Sequence, residues 1–199
     1  MSTPIFTKER SSSLQYVGAV NTASNTSTAS LTAEENGVTN ERQTRLDFVN
    51  LSVVTTDQPG TVGASGSQKI YTFPAGTYGI VRNIVFNLNA TPGAGGITDT
   101  ATLKYSIGTA AEASDGTLDS TQADILASSN ATAFVGGVGG GGAGGGAMTG
   151  VTNTAVAVDS RSAAKDIFLN FGIVDAGSTA NDTVTLSGSI WITWALLGA

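Results

Sequence analysis

Apolar and polar side chains alternate most regularly from Thr183 to Leu197. Val184, Leu186, Gly188, Ile190, Ile192 and Trp194 fall on one side of an extended chain, and Thr183, Thr185, Ser187, Ser189, Trp191 and Thr193 on the other. Successive side chains of a strand point to opposite faces, so this spacing predicts a strand with one apolar and one hydroxyl-rich face. Its length and position predict that it closes a sheet. Shorter alternations precede it. LDFVNLSVVTT places Val49, Leu51 and Val53 together. Ile80, Ile84, Phe86 and Leu88 share a face with Arg82 among them, a lone cation expected at a sheet end or beside a carboxylate. ATLKYSIG turns Ala101, Leu103, Tyr105 and Ile107 inward, and IFLNFGIV does the same with Ile167, Leu169, Phe171 and Ile173. With a short strand at TNTAVAVDS, about eight strands are expected.

Between them lie DQPGTVGASGS, TPGAGGITDT and DAGSTANDT, loops by their Gly, Pro, Asn and Asp content. Pro74-Ala75-Gly76 reads as a turn, the proline presetting φ and Gly76 taking a positive one. There are two candidates for helix, a short turn and a helix of about two turns. One is near Thr32, with Glu35 three residues on; the other runs from Ser120 to about Ala127, with Asp124 placed for a capping-box-like contact. In residues 136–150 ten of fifteen are glycine. No lysine-bearing helix follows, as a phosphate cradle requires, so the stretch reads as a flexible loop projecting from the domain.

Residues 1–45 differ from the rest. Ser, Thr, Asn and Ala dominate and apolar residues are isolated, so the segment cannot offset its own ordering entropy. It reads as an extended N-terminal arm lying along a partner, with Phe6, Arg10, Leu14 and Tyr16 as contacts; packing against its own domain is the alternative. Lys8, Arg10, Arg42, Arg45 and Lys69 give the N-terminal third a mild tilt toward an acidic partner surface. Residues 46–198 are expected to form the second unit, an all-β domain with many turns.

Composition narrows the chemistry. The 199 residues suffice for one core, and only 12% are charged. There is no His and no Cys, which removes the usual His-based nucleophile systems, thiolate metal sites and disulfides. The net charge is −6 and the nine basic residues are scattered, unlike a phosphate-binding surface, so no nucleic-acid partner is expected. MSTPIFTKERSSS lacks the apolar core of a secretion signal, and no run approaches the length of a membrane helix; the expectation is a chain made in the cytoplasm without a membrane partner. The candidate catalytic groups are the loop carboxylates Asp115 with Asp119 and Asp175 with Asp182. Such pairs could bind Ca²⁺ or hydrolyse a glycosidic bond, but in Gly/Ser/Asn loops they read first as turn chemistry. Neither an enzyme nor a cofactor is expected. Phe168 and Trp191 interrupt otherwise polar faces and read as subunit-interface residues, or as core if both sheet faces are covered.

YTFPAGTYGIV resembles the strand–turn–strand of jelly-roll trimers of the tumour-necrosis-factor-like and complement-like kind. The wider series is similar to structural proteins of tailed bacteriophages: a polar arm, DGTLDSTQADILAS, a Gly-rich loop, then DIFLNFGIVDAGSTANDTVTLSGSIWITWALLG. That resemblance implies an all-β, jelly-roll-like antiparallel β-sandwich behind an extended N-terminal arm. It implies a capsid decoration (cement) protein, a homotrimer that binds the major capsid protein on the outer surface of the virion and bridges capsid subunits. The alternative is a head-fibre or tail-associated module that grips host glycan.

Overall fold

The computed structural model describes residues 30–38, 41–57, 63–73, 75–93, 95–97, 101–112, 117–131, 146–173 and 179–197. Among them are nine strands: β1 (Ser30–Val38), β2 (Glu41–Asp57), β3 (Ala64–Phe73), β4 (Thr77–Pro92), β5 (Leu103–Gly108), β6 (Leu126–Asn130), β7 (Gly146–Ser160), β8 (Lys165–Ile173) and β9 (Asp182–Leu196). All pairings are antiparallel. From β2 onward they are nested, β2 with β9, β3 with β8, β4 with β7 and β5 with β6. This is one long two-stranded ribbon. Rolling it brings β9 beside β4 and β8 beside β5. Two sheets result, β1-β2-β9-β4-β7 and β3-β8-β5-β6, joined at a corner where Thr56 and Asp57 meet Ser65 and Ala64. The protein is an all-β, jelly-roll-like antiparallel sandwich.

The core fills the space between the sheets. On β9, Val184, Leu186, Ile190, Ile192 and Trp194 are buried, as the alternation requires. Ile167, Leu169, Phe171 and Ile173 of β8 face them from the other sheet. Two ring pairs cross the interior, Phe73–Trp194 at 4.9 Å and Phe86–Tyr105 at 5.3 Å. Gly188 is the exception on its face. It is exposed, with φ at +126°, and a Cβ there would lie 2.1 Å from the Asn87 carbonyl oxygen. Gly76 takes φ of +85° in the turn between β3 and β4, as its sequence context demands.

Several elements differ from the sequence expectation. β1 and the start of β2 occupy residues assigned to the arm, so the sheet begins at Ser30 instead of near Leu46. Thr32 and Glu35 lie in β1, not in a helical turn, because nine consecutive register pairs with β2 satisfy that backbone. Of the helix expected from Ser120 to about Ala127, Ser120–Gln122 forms one 3-10 turn, and Leu126–Asn130 is strand. Asp124 makes no capping-box contact: its carboxylate accepts from the Thr109 N–H (2.9 Å) and hydroxyl (2.7 Å). The glycine-rich stretch becomes strand from Gly146 onward; residues 136–145 lie outside the described residues.

Two β-bulges re-phase their strands. In β4 the register shifts between Val81 and Asn83, which sends Arg82 into solvent and puts Val81, not Ile80, in the core row with Ile84, Phe86 and Leu88. In β2 it shifts between Phe48 and Leu51, where Asn50 takes φ of +50°. Val49 is therefore 52% exposed, while Leu46, Phe48, Leu51 and Val53 are buried. A bulge sets two residues against one, so the faces are exchanged beyond it.

Candidate functional site

Trp191 lies on the outer face of the larger sheet, in its central strand. Its register partners are Arg45 on β2 and Val85 on β4. All three side chains are half-buried. The Arg45 guanidinium sits 5.1 Å from the indole centroid, and its Nε donates to Asp47 Oδ1 at 2.8 Å. One neighbouring row across β2, β9 and β4 is Gln43, Thr193 and Asn83; the other is Asp47, Ser189 and Asn87. Beyond it, Ser187 ties down the β2 bulge, accepting from the Asn50 N–H (3.3 Å) and donating to Asn50 Oδ1 (3.1 Å). The result is a three-strand field of hydroxyls and amides around one indole, on a rigid sheet.

Phe168 lies on the opposite outer face of the sandwich. It is half-buried on β8, in register with Lys69 and Gly108. Beside it Asp166 accepts from the Thr72 hydroxyl at 2.7 Å and sits 3.6 Å from the Lys69 ammonium. The structure therefore does not bring Phe168 and Trp191 into one patch. Next along β8 is a feature the alternation did not reveal. Asn170 points away from the core yet is 0% exposed, because the segment after β5 lies over it. Its Nδ2 donates to the Ala110 (3.0 Å) and Gln122 (2.8 Å) carbonyls, and its Oδ1 accepts from Ser67 Oγ (2.6 Å) and the Glu112 N–H (3.0 Å). Ser67 and Ser106 flank it in register, and Ser106 also donates to Gln122 O at 2.7 Å.

The carboxylates act as braces. Asp182 Oδ2 accepts the N–H groups of Gly95 (3.2 Å), Gly96 (2.8 Å) and Ile97 (3.0 Å), and Oδ1 accepts that of Thr183 (2.8 Å). Burial pushes this carboxyl upward, but the N–H donors of Gly96, Ile97, Thr183 and Gly95 together outweigh it and hold its pKa below the ordinary value. A carboxyl lowered in the folded state contributes stability that is full above the unfolded pKa, about 3.9, and is lost as pH falls through the lower folded value. Asp182→Asn is accordingly expected to cost about 1.5–3 kcal/mol at neutral pH. In urea melts the gap to the parent should narrow as pH drops below about 4; a gap independent of pH would show that charge plays no part. Asp119 is exposed and its side chain makes no cap bond to the 3-10 turn. Asp115, Asp175 and the arm residues Phe6, Arg10, Leu14 and Tyr16 lie outside the described residues. Among the described residues no three acidic side chains converge as metal ligands, and no helix is long and apolar enough to cross a membrane.

Fold and surface together define a class, a jelly-roll-like sandwich with a hydroxyl-and-amide sheet face. The chain matches no protein-family model and no curated protein.

Proposed function

We propose that this chain is a non-enzymatic decoration (cement) protein of a tailed-phage capsid. It binds the major capsid protein from outside and bridges its subunits, with the sandwich as a homotrimer and the segment before Ser30 as the capsid contact. The supporting observation is the position of β1. It is the strand beyond β2 at one edge of the larger sheet, so Ser30, to which the 29 preceding residues are joined, lies at the rim of the sandwich. Fully extended, such a segment spans up to roughly 100 Å. It can add attachment without a larger core, and tethering makes each further contact intramolecular. Phe6, Arg10, Leu14 and Tyr16 are its anchoring residues in this reading. The engagement of Asp182 and Asp124 in backbone braces also favours a structural role.

A twofold seam uses one patch twice, whereas a ring joins two different patches. In the proposed trimer the seam includes the Phe168 face. The Trp191 face suits it less, because hydroxyls and amides buried without matched partners cost about 1–3 kcal/mol each. The test is co-sedimentation with mature capsids stripped of this protein. The full chain is expected to bind, and a chain lacking residues 1–29 to bind at least about 100-fold more weakly while light scattering still gives a trimer. Undiminished binding by the shortened chain would remove the arm from the mechanism. A full chain that neither binds capsids nor forms trimers would remove the decoration reading itself.

A further inference from the structure

We propose that Asn36-Gly37, in β1, is a self-modifying site: it deamidates spontaneously to aspartate and isoaspartate, and the isoaspartate form loosens β1 from β2. Chain chemistry and strand register carry this, independently of the capsid reading. In the reaction the Gly37 backbone nitrogen attacks Asn36 Cγ. The new C–N bond closes a five-membered imide, the bond from Cγ to the side-chain nitrogen breaks, and that NH₂ leaves as ammonia with the Gly37 proton. Water then adds to either imide carbonyl. Opening on one side gives aspartate. Opening on the other gives isoaspartate, in which the main chain passes through Cβ and is longer by that carbon. Water is the co-reactant, and nothing is oxidised or reduced.

Sequence selects the residue. Of the twelve asparagines only Asn36 is followed by glycine. A Cβ on the following residue crowds the attacking nitrogen, and glycine has none; its backbone also turns most freely toward the ring-closing geometry. Asn-Gly is ordinarily the tight turn of a hairpin. Here the chain reverses elsewhere, since only residues 39 and 40 separate β1 from β2 and Val38 pairs with Glu41. Asn36 and Gly37 therefore lie within the strand, in register with Gln43 and Arg42. Register also leaves the nucleophile outside the ladder. A two-residue loop closes on a hydrogen-bonded pair, and such pairs alternate with non-hydrogen-bonded ones. Val38–Glu41 and Asn36–Gln43 are of the first kind and Gly37–Arg42 of the second, so the Gly37 N–H points away from β2. β1 lies beyond β2 at the edge of the larger sheet, and among the described residues no strand pairs with its far side. So close to the hairpin end, local opening gives the attacking nitrogen its geometry without global unfolding. The effect on β1 follows from its dependence on one partner. A longer main chain at position 36 sets Ser30–Glu35 out of step with Thr44–Val49, and with them Leu31 opposite Phe48, both core residues.

The test is incubation of the full chain in mildly alkaline buffer. Each conversion adds one negative charge to the net −6, so a faster band is expected in a native gel. Peptide mapping should place the change at Asn36, at least about tenfold faster than at any other asparagine and within about tenfold of its own rate in the urea-unfolded chain. Gly37→Ala, which keeps Asn36 but adds a Cβ beside it, should slow the change at least about tenfold. In the separated isoaspartate product, amide hydrogen exchange should rise in residues 30–38 while β8 stays protected. Asn36→Asp carries the same charge on an ordinary main chain and should protect β1 as the parent does. The proposal is overturned if Asn36 does not convert, if it converts more than about tenfold more slowly folded than unfolded, or if Gly37→Ala converts as the parent does. It is equally overturned if β1 in the isoaspartate product exchanges no faster than in the parent, or if Asn36→Asp loosens β1 as much, which would make charge and not main-chain length the cause.

Discussion

Trp194→Ala should lower the unfolding free energy by about 3–5 kcal/mol, while Trp191→Ala, three residues earlier on the same strand, should cost less than about 1 kcal/mol. With a urea m-value of about 2 kcal/mol/M, the first midpoint falls by roughly 2 M and the second barely moves. The two tryptophans differ in what surrounds them. Trp194 is 0% exposed, in edge-to-face contact with Phe73 from the other sheet at 4.9 Å and 82°. Its indole N–H donates to Thr44 Oγ1 at 3.0 Å. Truncation removes an aromatic contact that ties the sheets together. It also leaves the Thr44 hydroxyl, itself 1% exposed, without its indole donor. A small apolar gap lined by Phe73, Val81, Ile107, Ile167, Ile192 and Trp194 itself already lies there, so the void would enlarge instead of collapsing. Trp191 is half-buried on the outer face with the Arg45 guanidinium over its ring, and its removal opens no interior space. Equal losses for the two variants would mean that the Trp191 face is covered as the core is.

What could be read from the sequence, and what could not, divides along the same physical lines. β8 and β9 were legible because their apolar residues keep to alternate positions, and, Gly188 apart, the faces assigned to them are the buried ones. β2 and β4 were legible as strands but not in phase. Counting by twos fails across a bulge, and each strand marked its own bulge with an unsuited residue: Arg82 within an apolar row, and Asn50, a residue that tolerates positive φ, between Val49 and Leu51. β1 gave almost no signal, since SLTAEENGV carries few apolar residues and no clean alternation; long-range pairing with β2 makes it a strand. Trp191 stood out as an interruption of a hydroxyl face. Its neighbours Arg45 and Val85 did not, because cross-strand register joins positions 146 and 106 residues away in sequence from Trp191. The two aromatics read as one interface fall on opposite sides of the sandwich for the same reason: alternation tells inside from outside but not which sheet a strand joins.

Asn170 is the residue whose importance alternation hid most, and its replacement carries the second large effect. Asn170→Leu, nearly equal in volume, is expected to destabilise by about 3 kcal/mol or more, and Asn170→Asp by a similar or larger amount at neutral pH. One amide serves both halves of the site. Its NH₂ satisfies the Ala110 and Gln122 carbonyls, and its oxygen satisfies Ser67 and the Glu112 N–H. Leucine fills the space but leaves buried backbone groups at both ends of the covering segment without their side-chain partner. Aspartate keeps the acceptor but turns a carboxylate toward two carbonyl oxygens, in a position that is 0% exposed. If simple filling of volume held the segment down, leucine would be harmless. The hydrogen-bond account requires a local signature as well. Amide hydrogen exchange in residues 109–112 and 120–125 should rise in both variants before β9 loses protection, because β9 packs in the other sheet and does not touch this network. Loss of protection in β9 at the same denaturant concentration as in the covering segment would instead make the network part of one cooperative core. Faster exchange confined to the segment would make Asn170 the latch by which a loop connecting β5 and β6 becomes a fixed outer layer of the smaller sheet.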